Sequence, residues 1–158
     1  MRRQNPDGFS LIELLIVVTI IGIIASIAIP NLLASRRAAN EGSAQQSMRT
    51  ISSCEHAYKY TYGNGAFTDL TTLGAKVMTD GVLSTGTKSG YSFVATPVAG
   101  PPEQYFCTAV PMVTSGITQT GTRRFAIADD GVLRGDNNLA AGAPATMAAE
   151  QALPPLGN

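Results

Sequence analysis

The feature that most constrains this chain is an uninterrupted apolar run near its N-terminus. Residues 14–35 contain no charged side chain, and most of them are Ile, Leu, Val or Ala. A helix rises about 1.5 Å per residue, so this run extends for about 33 Å, enough to cross the hydrocarbon core of a bilayer. The run argues against an ordinary soluble enzyme. It predicts a membrane-spanning helix, and the remainder of the 158 residues has room for one small domain.

The flanks of the run indicate that the helix is retained as an anchor. The N-terminus is basic, as in a secretory signal peptide, but the run continues through Pro30 without a small-x-small cleavage site. The two arginines that precede the run are matched by Arg36 and Arg37 after it. Charge alone therefore leaves the orientation of the helix in the membrane open.

Glu13 places a carboxylate near the start of this apolar helix. An ionisable residue in a membrane segment costs about 2.5 kcal/mol or more and usually marks a function. The next cation along the chain is Arg36, about 35 Å further along the helix. A free α-amine is charged at neutral pH, and a cut between Gly8 and Phe9 would create one at the level of the carboxylate. Such an amine on a neighbouring subunit would neutralise Glu13.

The residues around Glu13 form a long ordered motif. Residues 8–15 read Gly-Phe-Ser-Leu-Ile-Glu-Leu-Leu, and residues 20–32 continue the apolar pattern with Gly22 and Pro30 inside it. The segment resembles the prepilin cleavage and methylation signature of type IV pilins and type II secretion pseudopilins. The resemblance covers about the first 35 residues closely, and the rest only in its layout of a long helix followed by a small sheet.

The resemblance implies how the precursor is processed. A prepilin peptidase would cut after Gly8, remove residues 1–8 as a leader and methylate the new N-terminal Phe9. Glu13 would pair with the N-terminus of a neighbouring subunit during assembly and would support methylation. Asp7 departs from the family, which more often has a basic residue before the glycine. We expect Asp7 to lower the efficiency of the cleavage and to leave the position of the cleavage site unchanged.

Gly22 and Pro30 have two compatible interpretations. Glycine is common where membrane helices pack closely, and proline is tolerated where neighbours satisfy the freed carbonyl. The resemblance favours a second role, in which both residues let the helix kink or melt as subunits pack into a filament.

Beyond Pro30 the apolar residues of the helix are confined to one side of it. Apolar residues recur at spacings of three and four, which predicts an amphipathic helix on a core; they are Ala44, Met48, Ile51, Cys54, Tyr58 and Tyr62. The opposite side carries polar residues that we expect to form weak local pairs; they are Arg37, Glu41, Gln45 and Arg49. Glycines at 63 and 65 end the pattern, so one helix is predicted from Phe9 to about Tyr62.

The remainder of the chain predicts an antiparallel sheet, and with it an α+β fold. Residues 69–73 indicate a short helix. Alternation and turn residues predict three or four strands, over residues 89–96, 104–110, 123–128 and 132–134, with a loop over residues 97–102. The tail from about Gly135 is rich in Ala and Pro and has no clear period, so we expect it to pack loosely or to be mobile.

The two cysteines allow two interpretations. Cys54 lies on the inward stripe of the helix and Cys107 lies in the middle of a strand. If they meet, Cys107 faces the core together with Tyr105 and Ala109. A disulfide between them would persist outside the cytoplasm and would stabilise the head by about 2 to 5 kcal/mol. The alternative is a pair of buried free thiols; the even count and the placement favour the disulfide.

Catalytic and metal chemistry find little support. His56 lies two residues from Cys54, so their side chains leave the helix in different directions, and we expect His56 to be exposed. Asp129, Asp130 and Asp136 could supply oxygen ligands for calcium, but turn residues at a hairpin end are the favoured interpretation. We therefore expect no enzyme activity, no metal site and no cofactor.

The charge of the chain argues against a nucleic-acid partner. Eleven basic residues balance eleven acidic ones, and the head has one small basic cluster, formed by Arg123, Arg124 and Arg134. Two or three arginines make a weak non-specific site at most.

The resemblance implies a structural subunit of a type IV pilus-like filament, used in attachment, twitching or DNA uptake. Residues 9–35 would form the anchor and later the filament core, and residues 36–158 the head. The implied partners are copies of this chain, other pilins, a prepilin peptidase, an assembly ATPase, a platform protein and, before assembly, membrane lipid. The precursor would sit in the inner membrane and the filament at the cell surface. The alternatives are a periplasmic type II secretion pseudopilin and a membrane-tethered binding domain.

Overall fold

The structure is a computed structural model that describes residues 9–156. The chain divides into two units, Met1–Ser35 and Arg36–Asn158. Helix α1, Leu11–Thr61, is a single unbroken helix of 51 residues that begins in the first unit and ends in the second. The prediction of one long helix is confirmed. The expected leader, including Gly8, lies outside the described residues.

The second unit, which we call the head, contains a five-stranded antiparallel sheet. Its strands lie in the order in which they occur in the chain, and they are β1 (Thr87–Lys88), β2 (Tyr91–Val98), β3 (Gln104–Pro111), β4 (Arg124–Ala128) and β5 (Leu133–Asp136). A short helix α2, Leu70–Lys76, precedes the sheet, and the Asp69 side chain caps it by accepting from the Thr72 amide. The α+β class is confirmed. The sheet has one strand more than expected, because the two-residue β1 is too short to show an alternating pattern.

Strand β2 extends into the segment that we expected to be a loop. Pro97 pairs with Tyr105 of β3, and β2 ends at Val98. Proline lacks the N–H that a strand donates, so it is tolerated where that side of the strand has no neighbour. Strand β1 pairs with only the first two residues of β2, which leaves the edge at Pro97 open.

The core of the head lies between α1 and one face of the sheet. From the helix, Ala44, Met48 and Ile51 are fully buried. From β3, the side chains predicted to face the core do so; they are Tyr105, Cys107 and Ala109. The inward stripe ends earlier than predicted, because α1 ends at Thr61 and Tyr62 is 57% exposed.

The C-terminal tail makes backbone contacts with the sheet, whereas its sequence predicts loose packing or mobility. Helix α3, Met147–Gln151, is capped by the Thr146 hydroxyl. After it the chain runs beside β5, where the Gly135 amide donates to the Pro154 carbonyl and the Leu156 amide donates to the Leu133 carbonyl. Backbone hydrogen bonds of this kind need no sequence periodicity, which is why the pattern of the tail gave no indication of them.

Candidate functional site

The first unit presents apolar side chains on every face. From residue 9 to residue 35, all residues are exposed except Ala25 and Leu33, which are half-buried. Among the described residues, α1 is the one helix that is long and apolar enough to cross a membrane. Apolar surface of this extent marks a segment that is covered by lipid or by other subunits.

The start of α1 uses Glu13 as a cap. Glu13 is in the third position of the helix, and its Oε2 accepts a hydrogen bond of 2.8 Å from the Ser10 amide. The Leu14 amide in turn donates to the Ser10 carbonyl. This is half of a capping box, in which a side chain satisfies an amide that the helix leaves without a partner. The carboxylate also lies at the positive end of the helix dipole.

The hydroxyl side chains within the apolar segment are satisfied by the helix itself. Each hydroxyl donates to a backbone carbonyl three or four residues earlier: Thr19 to Leu15, Ser26 to Ile23, and Ser35 to Asn31. A hydroxyl bonded in this way can enter lipid at little cost, because no donor is left without a partner. The three hydroxyls therefore do not prevent the segment from lying in a bilayer.

Gly22 and Pro30 both lie inside α1, and the helix continues through each of them. A Cβ built on Gly22 would have no heavy atom within 4 Å, apart from the local backbone of the helix. Nothing within the described chain therefore requires a glycine at position 22. Proline removes a helix hydrogen bond wherever it occurs in a helix interior. The expected role of Gly22 and Pro30 in helix flexibility remains a prediction.

Glu55 is a buried carboxyl that the sequence reasoning missed. It lies four residues after Ile51 on the inward side of α1 and is fully buried. Its Oε2 accepts a hydrogen bond of 3.1 Å from the Thr68 amide, while its Oε1 has no partner among the described residues. Burial raises the pKa of the Glu55 carboxyl to about 7, and the negative charge of Asp69 adds to the rise. The four-residue spacing from Ile51, which places Glu55 on the same side of the helix, was the indication in the sequence that Glu55 is buried.

The expected disulfide is not formed in this structure. Cys54 and Cys107 are both free thiols, and Cys107 donates to the sulfur of Met48 at 3.6 Å. Cys54 lies six residues after Met48, about 9 Å further along the helix and on a different side of it. The strand that brings Cys107 to Met48 therefore does not bring it to Cys54. Burial raises the pKa of both thiols, and the negative charge of Glu55 raises it further.

His56 is half-buried, and the expectation that it is exposed is wrong. Its ring makes edge contacts with the rings of Phe67, at 5.8 Å, and Tyr105, at 6.0 Å. It therefore packs over the aromatic end of the core. Among residues 9–156, no three His, Cys, Asp or Glu side chains come together in a way that could hold a metal ion.

The aspartates and arginines of the hairpin region pair with one another. Arg124 makes a two-point contact with Asp136, at 2.6 and 2.9 Å, and its own side chain is almost fully buried. Arg134 contacts both Asp130, at 2.6 Å, and the buried Glu150, at 3.0 Å. The hydrogen bonds from the arginines lower the pKa of Asp130 and Asp136. The Arg134–Glu150 pair fastens α3 to the sheet, and the pairs together occupy two of the three arginines of the basic cluster.

The polar side of α1 contacts the loop before β4, and the expectation of local pairs along the helix is wrong. Glu41 accepts two hydrogen bonds of 2.7 Å from the amide and the hydroxyl of Thr122. Arg37 donates to the side-chain oxygen of Gln119 at 3.4 Å. Residues about 80 positions apart thus meet, which helix spacing alone does not predict.

Comparison with known proteins places similarity in the N-terminal part of the chain. The family described as a prokaryotic N-terminal methylation motif matches residues 3–29. The type IV wide pilus major component PilA4 of Thermus thermophilus is 60% identical over 38 residues, which are 24% of this chain and 29% of that protein. The type II secretion system core protein G of Klebsiella michiganensis is 36% identical over 59 residues, 37% of this chain and 42% of that protein.

A third relative is the type IV major pilin protein PilA of Myxococcus xanthus, which is 40% identical over 58 residues, 35% of this chain and 26% of that protein. The matches thus cover less than half the length of each of these relatives. No solved structure gives a significant match. The motif match covers residues 3–29, and it confirms the resemblance stated for residues 8–15. The N-terminal segment of this chain therefore carries the prokaryotic N-terminal methylation motif, and the chain is similar over part of its length to type IV pilins and to type II secretion core protein G.

Proposed function

We propose that this chain is a structural subunit of a type IV pilus-like filament, made as a membrane-anchored precursor and assembled through its N-terminal helix. The observation that carries the proposal is a helix exposed on all sides over residues 11–35, with one carboxylate at Glu13 and the methylation motif around it. In lipid, helices gain no hydrophobic energy by packing together, so association depends on shape and on polar contacts. Glu13 is the ionisable group that the helix offers for such a contact.

The proposed processing follows from the same segment. A prepilin peptidase cuts between Gly8 and Phe9, and the amine of Phe9 is methylated. Phe9 is 76% exposed, so the residue that follows the cut is accessible to an enzyme. An assembly ATPase and a platform protein then move the subunit from the inner membrane into a filament at the cell surface. Gly22 and Pro30 loosen the helix during that step.

The pairing role of Glu13 is tested by two substitutions that separate its charge from its cap. Glu13→Gln keeps an oxygen that accepts from the Ser10 amide and removes the charge, whereas Glu13→Ala removes both. If the charge pairs with a neighbouring amine, both variants remain in the membrane as cleaved chains and neither forms filaments. Sheared surface fibres, counted by electron microscopy, give the readout, with membrane fractionation as the measure of insertion.

The matched control is Thr19→Val, which removes a polar group from the same segment without changing its charge. The Thr19 hydroxyl donates to the Leu15 carbonyl within the helix, so this variant should assemble normally. Normal filaments from Glu13→Gln would contradict the charge-pairing role. A full-length, uncut chain in the membrane would contradict the proposed function itself and would favour a membrane-tethered domain.

The second candidate function is that of a periplasmic type II secretion pseudopilin. The similarity to core protein G of Klebsiella michiganensis favours it, because that match extends over 59 residues. Both candidates share the cut, the methylation and the assembly through α1. The presence of this chain in fibres sheared from the cell surface would select the pilus. Its confinement to the periplasm of secreting cells would select the pseudopilin.

A further inference from the structure

A loop at the end of β3 exposes apolar side chains to solvent. All residues from 112 to 118 are exposed, and we call them the interfacial loop. Met112 is 60% exposed, Val113 37% and Ile117 76%. Single exposed apolar residues are ordinary, but three in a seven-residue loop form a cluster that calls for an explanation.

Hydrogen bonds hold the base of this loop in place. The Thr120 amide donates to the Val113 carbonyl at 3.0 Å, and the Met112 amide donates to the Gly90 carbonyl at 2.9 Å. The Val113 amide also donates to the Thr120 hydroxyl. The tip at Gly116, where the backbone has a φ of +82°, projects from a fixed base. The apolar side chains are thus presented by a closed loop with a defined position on the head.

The loop is fastened to the first turns of the helix in the head. The Asn40 side chain donates to the Thr120 carbonyl at 2.9 Å, and Arg37 donates to Gln119. Arg37 follows Ser35, the last residue of the uncharged run, by two positions in the chain. If residues 14–35 span the bilayer, these first turns emerge at the lipid headgroups, because the chain is continuous. The loop fastened to them is then held near the same level.

Positive charge accompanies the exposed loop. Arg36 and Arg123 are exposed and Arg37 is half-buried. Arg123 follows Thr122, which bonds to Glu41 on the same turns of the helix. Glu41 is the acidic residue of this region, and its Oε1 is engaged by Thr122. Apolar side chains beside arginines match a membrane surface, because the apolar groups enter the acyl boundary and guanidinium groups bind phosphate.

We propose that the interfacial loop, with Arg36, Arg37 and Arg123, docks the head on a surface of acidic phospholipid while the subunit waits in the membrane. This proposal rests on the membrane anchoring in the proposed function. The anchor fixes where the chain enters the bilayer. The docking surface holds the head against the lipid, and assembly must release it. Arginines near an anionic leaflet contribute attraction that salt screens.

The chain contains no tryptophan, so a single introduced tryptophan reports on lipid contact. The full chain carrying Ile117→Trp is reconstituted into vesicles of phosphatidylglycerol and phosphatidylcholine whose acyl chains are brominated near the headgroup. Bromine quenches tryptophan fluorescence on contact. The matched control is Tyr60→Trp, because Tyr60 is 82% exposed and lies 23 residues after Arg37 in α1, about 35 Å along the helix.

Docking predicts strong quenching at position 117 and little at position 60. Replacing Arg36 and Arg37 with glutamine should reduce the ratio of docked to undocked heads by about fivefold for each arginine. Quenching should also fall in vesicles of phosphatidylcholine alone and at high salt. Equal, weak quenching of both tryptophans would overturn the proposal. So would a blue-shifted but unquenched Ile117→Trp spectrum, which would show that a second copy covers the loop.

Flotation of the vesicles separates this proposal from the one on which it rests. If the protein floats with the vesicles and Ile117→Trp is unquenched, the docking surface is wrong while the anchor stands. If the protein fails to float, the membrane anchor is wrong and both proposals fall.

Discussion

Replacement of the buried Glu55 by glutamine should change how the stability of the head depends on pH. Glu55 is enclosed between α1 and the segment that leads to α2, and one of its oxygens accepts from the Thr68 amide. The charge of Asp69 raises the pKa of Glu55. The charge of Glu55 in turn raises the pKa of Tyr105 and of the two cysteine thiols. None of these is a cation. The ionised carboxylate is therefore unfavourable in the folded head.

The sign of the effect follows from the pKa. Burial raises the pKa of Glu55 from 4.5 to about 7, so the folded state holds a proton that the unfolded state has released. The contribution of this proton to stability is fully present below pH 4.5 and is lost as the pH rises through 7. The loss amounts to about 2 to 3 kcal/mol between pH 4.5 and pH 8. Glutamine is neutral throughout and does not lose this contribution.

The assay is urea unfolding of the full chain in detergent, followed by far-ultraviolet circular dichroism at several pH values. At pH 4.5 the variant and the parent should have similar free energies of unfolding, because a glutamine and a protonated Glu55 are both neutral. At pH 8 the variant should be more stable by about 2 to 3 kcal/mol. The measured quantity is the difference between the two proteins, so other carboxyl groups, which titrate in both, cancel.

The control is Glu103→Gln, which removes the same charge from a half-buried position just before β3. Glu103 is outside the core, so its variant controls for the loss of one negative charge from the head. A difference between Glu55→Gln and the parent that does not change between pH 4.5 and pH 8 would refute the reasoning. That result would mean that the carboxyl is ionised at little cost in the folded head.

Two further predictions concern the head. Asp136→Asn should lower its free energy of unfolding by about 2 to 3 kcal/mol, because it leaves the buried Arg124 without its two-point partner; an unchanged urea midpoint would contradict this. For the cysteines, maleimide should label Cys54 in the native, unreduced protein and Cys107 only after unfolding. An unreduced intact mass about 2 Da below that of the dithiol would show instead that the two form a disulfide.

The sequence predicts the long helix and the inward side of β3 because both depend on local periodicity. Ala44, Met48 and Ile51 recur at helical spacing, and all three are buried. Cys107 shares a strand face with Tyr105 and is buried beside it. A repeat of three to four residues or of two residues requires only that one side of an element face the core. That requirement is visible without knowing which other element supplies the core.

The features that the sequence did not predict depend on partners far away in the chain. The tail is held by the ion pair between Glu150 and Arg134 and by backbone hydrogen bonds to β5. No periodic pattern in the tail sequence predicts either contact. Glu55 lies on the inward stripe, but a carboxyl is not expected to be buried there. Its burial depends on the hydrogen bond from the Thr68 amide, which the sequence does not reveal. The disulfide is absent from the structure for a related reason. Two inward-facing cysteines share a core, but the register of β3 against α1 decides whether they meet.

On the proposed function, Glu13 would serve two purposes in succession. Its Oε2 accepts from the Ser10 amide of its own chain, and among residues 9–156 no hydrogen bond reaches its Oε1. The local bond orients the carboxylate and lowers the cost of holding it near lipid before any neighbour arrives. The free oxygen remains available to an amine, so pairing with a neighbouring subunit does not require the cap to break. On the proposed function, a carboxylate at the third position of a helix that begins beside a newly cut N-terminus can therefore insert alone and still recruit the next subunit.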